Sequence, residues 1–261
     1  MTHRLRSFSF ALAAVVLTSA TALAQDGTPE MFIVHTERAV PSKIADYEAT
    51  TKEFAALVQA NRSAAPLFSF TALQGEDLSY SFITPIRNLA DADAIFASFE
   101  ALGKAAGGKW DDLMRRSGAT FTSTDENVFM NVPQASYWPA GAPVTPMTAG
   151  YYQLDFYRLT PGMDREAEEI AASWRKLFES AKVPYGYSVF RLAMGADGPL
   201  WVVSTPAKDA ANLAEINAAA VKAIGVDAWR AQVAKTMAIC RGFDSKRYTV
   251  RRDLSLPPVA K

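Results

Sequence analysis

Residues 34–54 (VHTERAVPSKIADYEATTKEF) overlay residues 154–174 (LDFYRLTPGMDREAEEIAASW) without a gap, setting Arg38 on Arg158, Pro41 on Pro161 and Phe54 on Trp174. A second block agrees as well. Residues 80–95 lie on 201–216, matching Thr84-Pro85 to Thr205-Pro206, and farther along Trp110 matches Trp229. Repetition constrains a chain more than any local motif, because two copies of one pattern must find two copies of one structure. A period of about 120 residues is the size of a domain rather than of a solenoid repeat, so one domain is predicted twice.

Each copy reads as strand, helix, hairpin, helix, strand. The first strand runs from Met31 to Arg38 and again from Tyr151 to Leu159, with apolar residues on both faces, as in a sheet covered on both sides. Pro41 and Pro161 open a helix, with Thr160 expected as its N-cap in the second copy. Ile44, Tyr47, Phe54, Leu57 and Val58 keep helical spacing, as do Met163, Ile170, Trp174, Leu177 and Phe178. Hairpins follow over 67–84 and 185–205, and because proline cannot donate to a ladder, Pro85 and Pro206 are expected to end their second strands. The second helical region breaks at 105–108 and at 225–227, and a last strand falls near 127–132 and 246–253. Residues 132–150 hold four prolines without periodicity and read as an extended connection. The boundaries are then a first repeat at 29–132, a linker at 133–148 and a second repeat at 149–253.

The order βαββαβ is the split βαβ, ferredoxin-like unit, which covers one sheet face with its helices and leaves the other bare. A fused second copy supplies the missing cover. In this element order and its duplication, over nearly the whole chain but without a signature motif, the sequence resembles the dimeric α+β barrel superfamily, with its antibiotic-biosynthesis-monooxygenase-like, NIPSNAP-like and EthD-like groups. The resemblance implies an α+β fold in which two tandem ferredoxin-like units form a single-chain pseudo-dimeric barrel, monomeric or in a higher homo-oligomer. It also implies a functional range: cofactor-independent monooxygenases, haem-dependent enzymes, small-molecule isomerases and proteins without known activity.

Residues 1–24 read as a secretory signal peptide. Arg4 and Arg6 precede the mostly apolar stretch from Phe8 to Leu17, and Ala22-Leu23-Ala24 is a cleavage site, so a secreted or periplasmic protein beginning near Gln25 is expected. The apolar run is too short to span a bilayer, which argues against a retained anchor. Lys and Arg together number 27, as do Asp and Glu, and cleavage leaves two more acids than bases. With no basic block, the chain is not expected to bind nucleic acid or an anionic membrane surface. Its one cysteine, Cys240, forms no internal disulfide, so the core alone must hold the fold.

After cleavage His35 is the only histidine, which excludes every zinc site built on two imidazoles and leaves one axial ligand for haem at most. No metal site is expected. The repeat sets Asp155 opposite His35, and strand parity puts Glu37 beside His35 and Tyr157 beside Asp155. If the barrel has a functional cavity, these four should line it, with Arg38 or Arg158 gripping a substrate carboxylate or enolate. The structural alternatives are a histidine satisfied by a neighbouring carboxylate, and strand-end arginines paired with carboxylates on the adjacent helix. The hairpin aromatics, among them Phe68, Tyr80 and Trp201, suit a ligand pocket and a packed core alike. Gly107-Gly108-Lys109-Trp110 lacks the spacing of a phosphate loop, and the segment after Gly186 lacks the second glycine of a nucleophile elbow. Asp91 and Asp93 read as helix-start residues, and Glu166, Glu168 and Glu169 as a solvated helix face.

Three functions remain open. The leading one is an exported protein that holds a small apolar or aromatic molecule without catalysis. The second is a cofactor-independent monooxygenase or isomerase with His35 as base and Arg38 or Arg158 steadying an oxyanion. The third is a haem protein with His35 as proximal ligand.

Overall fold

A computed structural model describes residues 30–195 and 197–258; the leader assigned to residues 1–24 lies outside them. The first strand β1 (Met31–Ala39) leads through a short 3-10 turn into α1 (Ile44–Ala60), then β2 (Thr71–Gly75), β3 (Ser79–Ile86), α2 (Leu89–Ala106), α3 (Gly108–Gly118) and β4 (Phe121–Asn131). The same order returns as β5 (Tyr151–Leu159), α4 (Asp164–Ser180), β6 (Ser188–Met194), β7 (Leu200–Ala207), α5 (Ala210–Ile224), α6 (Val226–Ala238) and β8 (Cys240–Val250). The strands form one closed antiparallel barrel in the order β1-β3-β2-β8-β5-β7-β6-β4. Registers match as well as order: Phe32 faces Phe129 across β1 and β4 as Tyr152 faces Tyr248 across β5 and β8.

Strand parity separates two cores. Val34, Leu154, Phe156, Phe129, Phe190, Leu192, Leu200 and Val202 come from five strands and pack together, which makes them the filling of the barrel. Ile33, one residue before Val34, packs instead with Val58 of α1 and with Ile95 and Leu102 of α2. The odd positions of β1 therefore face the helices. Corresponding aromatic pairs anchor the helices on each side: Phe54 with Trp110 at 6.2 Å, and Trp174 with Trp229 at 4.9 Å between ring centroids.

Three local expectations are corrected. Pro85 and Pro206 lie inside β3 and β7, paired with Phe32 and Tyr152. They are tolerated because the β2–β3 ladder reaches only Ile83 and the β6–β7 ladder only Ser204, so each proline sits where one flank is unpaired. Thr160 does not cap α4, because a turn through Gly162 at φ 90° delays the helix to Asp164. The segment after β4 is not a free tether. Val132, Ala135 and Tyr137 are buried with Leu159, Val183 and Val189 on the helix side of β5–β8, and the Trp138 ring fills the space a side chain at Gly186 would need.

The chain after β8 does the reverse. Arg251 donates its N–H to the Ala72 carbonyl, Leu256 bridges to Phe70, and Leu254 and Leu256 are buried against β1–β4. Each four-strand set thus receives the exit segment of the other. Tyr137 bridges to Tyr187 as Leu256 does to Phe70, but the buried Tyr187 hydroxyl has no hydrogen-bond partner where Phe70 has no hydroxyl at all. Tyr187→Phe is therefore expected to stabilise the protein by about 1 kcal/mol, read as a rise in the urea midpoint at constant slope.

Candidate functional site

His35 and Glu37 share the helix-covered face of β1, as parity requires. His35 Nε2 lies 3.2 Å from Glu37 Oε1, and the Tyr47 hydroxyl of α1 donates to Glu37 Oε2 at 2.6 Å. On the other side of the ring, Nδ1 is 3.8 Å from Glu126 Oε2 of β4, beyond hydrogen-bond reach. The imidazole side chain is 36% exposed and its Glu37 partner 15%, so the ring has one tethered, covered side and one open side. Burial works against the imidazolium, but the Glu37 hydrogen bond and the charges of Glu37 and Glu126 outweigh it, and the His35 pKa lies above its ordinary value of 6.5. Burial and the Glu37 carboxylate push the Tyr47 phenol well above the usual range, so it acts only as a proton-bearing donor to Glu37.

The other residues singled out in the sequence lie elsewhere. Asp155 occupies the equivalent place on β5, where it accepts from Gln153 at 3.0 Å and from Ser245 at 2.6 Å, and burial raises its pKa. Tyr157 packs on Phe243 at 5.0 Å between centroids, and burial raises its phenol too. The structure thus brings His35 and Glu37 together and keeps Asp155 and Tyr157 beside the opposite helices, so the four do not converge on one lumen. Arg38 and Arg158 sit at strand ends and reach hairpin turns, and in the case of Arg158 also the neighbouring strand β8, rather than the adjacent helix. Arg38 donates to the Asp77 carbonyl at 3.1 Å, and Arg158 to Asp197 at 3.3 Å and to Asp244. Lys246 of β8 also meets Asp77, at 3.2 Å.

Two features were beyond local pattern. Tyr47 keeps the apolar spacing of α1, and nothing in that spacing announces a hydroxyl aimed at Glu37. Arg251 follows β8 yet pairs with residues far away in sequence. It donates to Glu48 Oε2 at 2.7 Å and to Gln74 Oε1 at 2.8 Å, while Tyr80 donates to Glu48 Oε1 at 2.9 Å. This network fills the space between α1 and β2–β3.

The corresponding space beside α4 is open. A cleft of about 290 Å³ and an adjoining one of about 230 Å³ share Met130, Arg191 and Trp201, with Asp164 and Glu168 of α4 on their opposite wall. As a haem ligand His35 would have only Nδ1 to offer, because Glu37 holds Nε2, and the half-exposed Glu126 carboxylate 3.8 Å from Nδ1 would have to swing aside. Among the described residues no group of three or more His, Cys, Asp or Glu side chains could hold a metal, and no described helix is long and apolar enough to cross a membrane.

No protein-family model matches the chain, and no curated protein does. Among solved structures it is similar to an anthrone oxidase-like protein, with a TM-score of 0.59 at 16% identity over 90% of this chain and 97% of that one. A proposed monooxygenase from Lactobacillus acidophilus NCFM matches with a TM-score of 0.51 at 11% identity, over 85% of this chain and 94% of that one. Chlorite dismutase from Candidatus Nitrospira defluvii, in complex with imidazole, matches with a TM-score of 0.52 at 12% identity, over 86% of this chain and 92% of that one. Identities this low establish a shared architecture and leave the chemistry to the residues: the chain is an α+β barrel of the kind these proteins share.

Proposed function

We propose that this is an exported protein built as a fused tandem repeat of a ferredoxin-like unit, and that the face around His35 moves a proton on a small aromatic or enolisable molecule without a cofactor. One observation carries the reading. A histidine is oriented by a carboxylate that is itself held by a tyrosine, and its second nitrogen makes no hydrogen bond within 3.5 Å, the Glu126 carboxylate standing 3.8 Å away. That is the arrangement of a base with an orienting group behind it. Nδ1 would accept the proton of an activated C–H or O–H, and Glu37 would stabilise the imidazolium that results. Loss of such a proton is a step that oxidation of an anthrone-like ring carbon and isomerisation of an enolisable ketone have in common, and the first of these suits the name of the anthrone oxidase-like structure. Ligand storage without catalysis, first among the sequence readings, gives the relay no purpose. Arg38 and Arg158 take no part here, since hairpin aspartates already hold them.

The test is deuterium incorporation at the activated carbon of phenols and aromatic ketones incubated with the protein in heavy water. His35→Gln is expected to slow exchange by about 100-fold or more. Unchanged exchange in that variant, or no exchange by the folded wild type with any compound of the panel, overturns the reading. The single histidine of the exported chain makes a companion measurement simple. Glu37→Gln should lower the His35 pKa, followed by its ring proton resonances. Because the folded pKa is raised, the stabilisation from this pair is full below about pH 6.5 and fades as pH rises through the folded value.

A further inference from the structure

In the strand registers His35 stands between Phe82 of β3 and Glu126 of β4, and the three share the helix-covered side of the sheet. A carboxylate can only accept, so the hydrogen bond to Glu37 places the proton of the neutral ring on Nε2 and the lone pair on Nδ1. Nδ1 and Glu126 Oε2, 3.8 Å apart, are therefore two acceptors on the open side of the ring. Among the described residues the Glu126 carboxylate meets no cation other than a protonated His35, and its side chain is 43% exposed. Arg38 and Asp125 have the opposite parity and turn to the other side of the sheet, and Asp77 holds Arg38. The charges acting on the ring are those of Glu37 and Glu126. The Phe82 ring, 6.3 Å from the imidazole between centroids, gives the site an apolar flank.

We propose that the substrate is an uncharged α-hydroxy ketone, its acidic carbon set against His35 Nδ1 and the hydroxyl on that carbon donating to Glu126. The inference rests on His35 as the base. Two acceptors 3.8 Å apart fit two donors one bond apart, a C–H about 3–3.5 Å from its base and an O–H donating to a carboxylate at about 2.6 Å. In the step the C–H bond breaks and its proton passes to Nδ1. The electron pair becomes the C=C bond of the enolate as the carbonyl π pair moves onto oxygen. Once Nδ1 has exchanged its proton with heavy water, a deuteron returns to the same carbon, and no oxidant is consumed. Glu126 positions the carbon through the hydroxyl. A ketone without that hydroxyl loses the hold, and one bearing a carboxylate is repelled by Glu37 and Glu126.

Deuterium exchange at the methylene carbon of 2-hydroxyacetophenone and of 2-methoxyacetophenone tests the assignment, because the methyl ether keeps the ketone and the oxygen and loses the O–H. Each rate is divided by the rate with free imidazole, which removes the difference in intrinsic acidity. The normalised preference of the wild type for the hydroxy ketone is expected to be about tenfold or more. Glu126→Ala should bring it close to one, and Glu126→Gln, which keeps an acceptor oxygen without the charge, should fall between the two. Should Glu126→Ala fail to fold, the lowered preference of Glu126→Gln decides. Equal normalised rates in the wild type, or a preference unchanged in the Glu126 variants, overturn this assignment and leave His35 as the base wherever His35→Gln still abolishes exchange. Absence of exchange, or exchange as fast in His35→Gln as in wild type, overturns both.

Discussion

A chain ending at Val250 is expected not to fold. The eight strands and six helices of the described residues would all be present, yet the face of β1–β4 would lose Arg251, Leu254 and Leu256. Leu254 is fully buried among Tyr47, Tyr80 and Ala72, and Leu256 is 2% exposed beside Phe68 and Phe70. Removing one buried leucine side chain costs about 2–5 kcal/mol, and breaking a largely covered ion pair roughly 3 kcal/mol more. Together these losses match the whole stability of an ordinary domain, about 5–15 kcal/mol. Circular dichroism and gel filtration of the truncated protein should show an unfolded or aggregated chain. A cooperative melt within a few degrees of the full-length protein would mean that the exit segment is an ornament.

Glu48→Gln is the second substitution with a large expected effect. Glu48 accepts from both Arg251 and Tyr80, and its side chain is only 22% exposed, as Arg251 is only 17%. The glutamine keeps the shape but leaves a guanidinium without its main anion, at a cost of about 3 kcal/mol. The same pair makes stability depend on pH. The hydrogen bond from Arg251 holds the Glu48 carboxyl below its usual 4.5, against the opposing effect of burial. Its contribution is therefore full above about pH 4.5 and drains away as pH falls through the lowered folded value. Urea melts between pH 7 and pH 3 should show wild type and Glu48→Gln converging in acid. A constant gap between them would remove Arg251–Glu48 from the account.

The repeat made the order of elements legible, because Arg38 and Arg158, the Thr-Pro pairs and the tryptophans recur at offsets of 119 to 121 residues. Parity likewise placed Glu37 beside His35. What remained hidden was which side of β1 faces the lumen. Ile33 and Val34 are both apolar, one packing on helices and one inside the barrel, so composition alone distinguishes neither side. The exit segments stayed hidden for another reason. Four prolines in 132–150 mask Val132, Ala135 and Tyr137, whose burial depends on an opposite face that no local pattern describes. Arg251 is the extreme case, with partners 177 and 203 residues away. The acidic run of α4 read as a solvated face, and Glu166, Glu168 and Glu169 are all exposed.

The ring of eight strands also decides how this protein can meet other copies of itself. Among the described residues no strand of the barrel lacks a neighbour on either side. Sheet-to-sheet addition, the commonest route by which β proteins run together into larger aggregates, is closed without any charged gatekeeper having to guard an edge. Further assembly must pass through side chains on the outer helices, where Leu89 and Phe96 of α2 are each almost half exposed. A crowded solution would then hold a particle that associates by its helical coat and is poorly suited to seeding fibres.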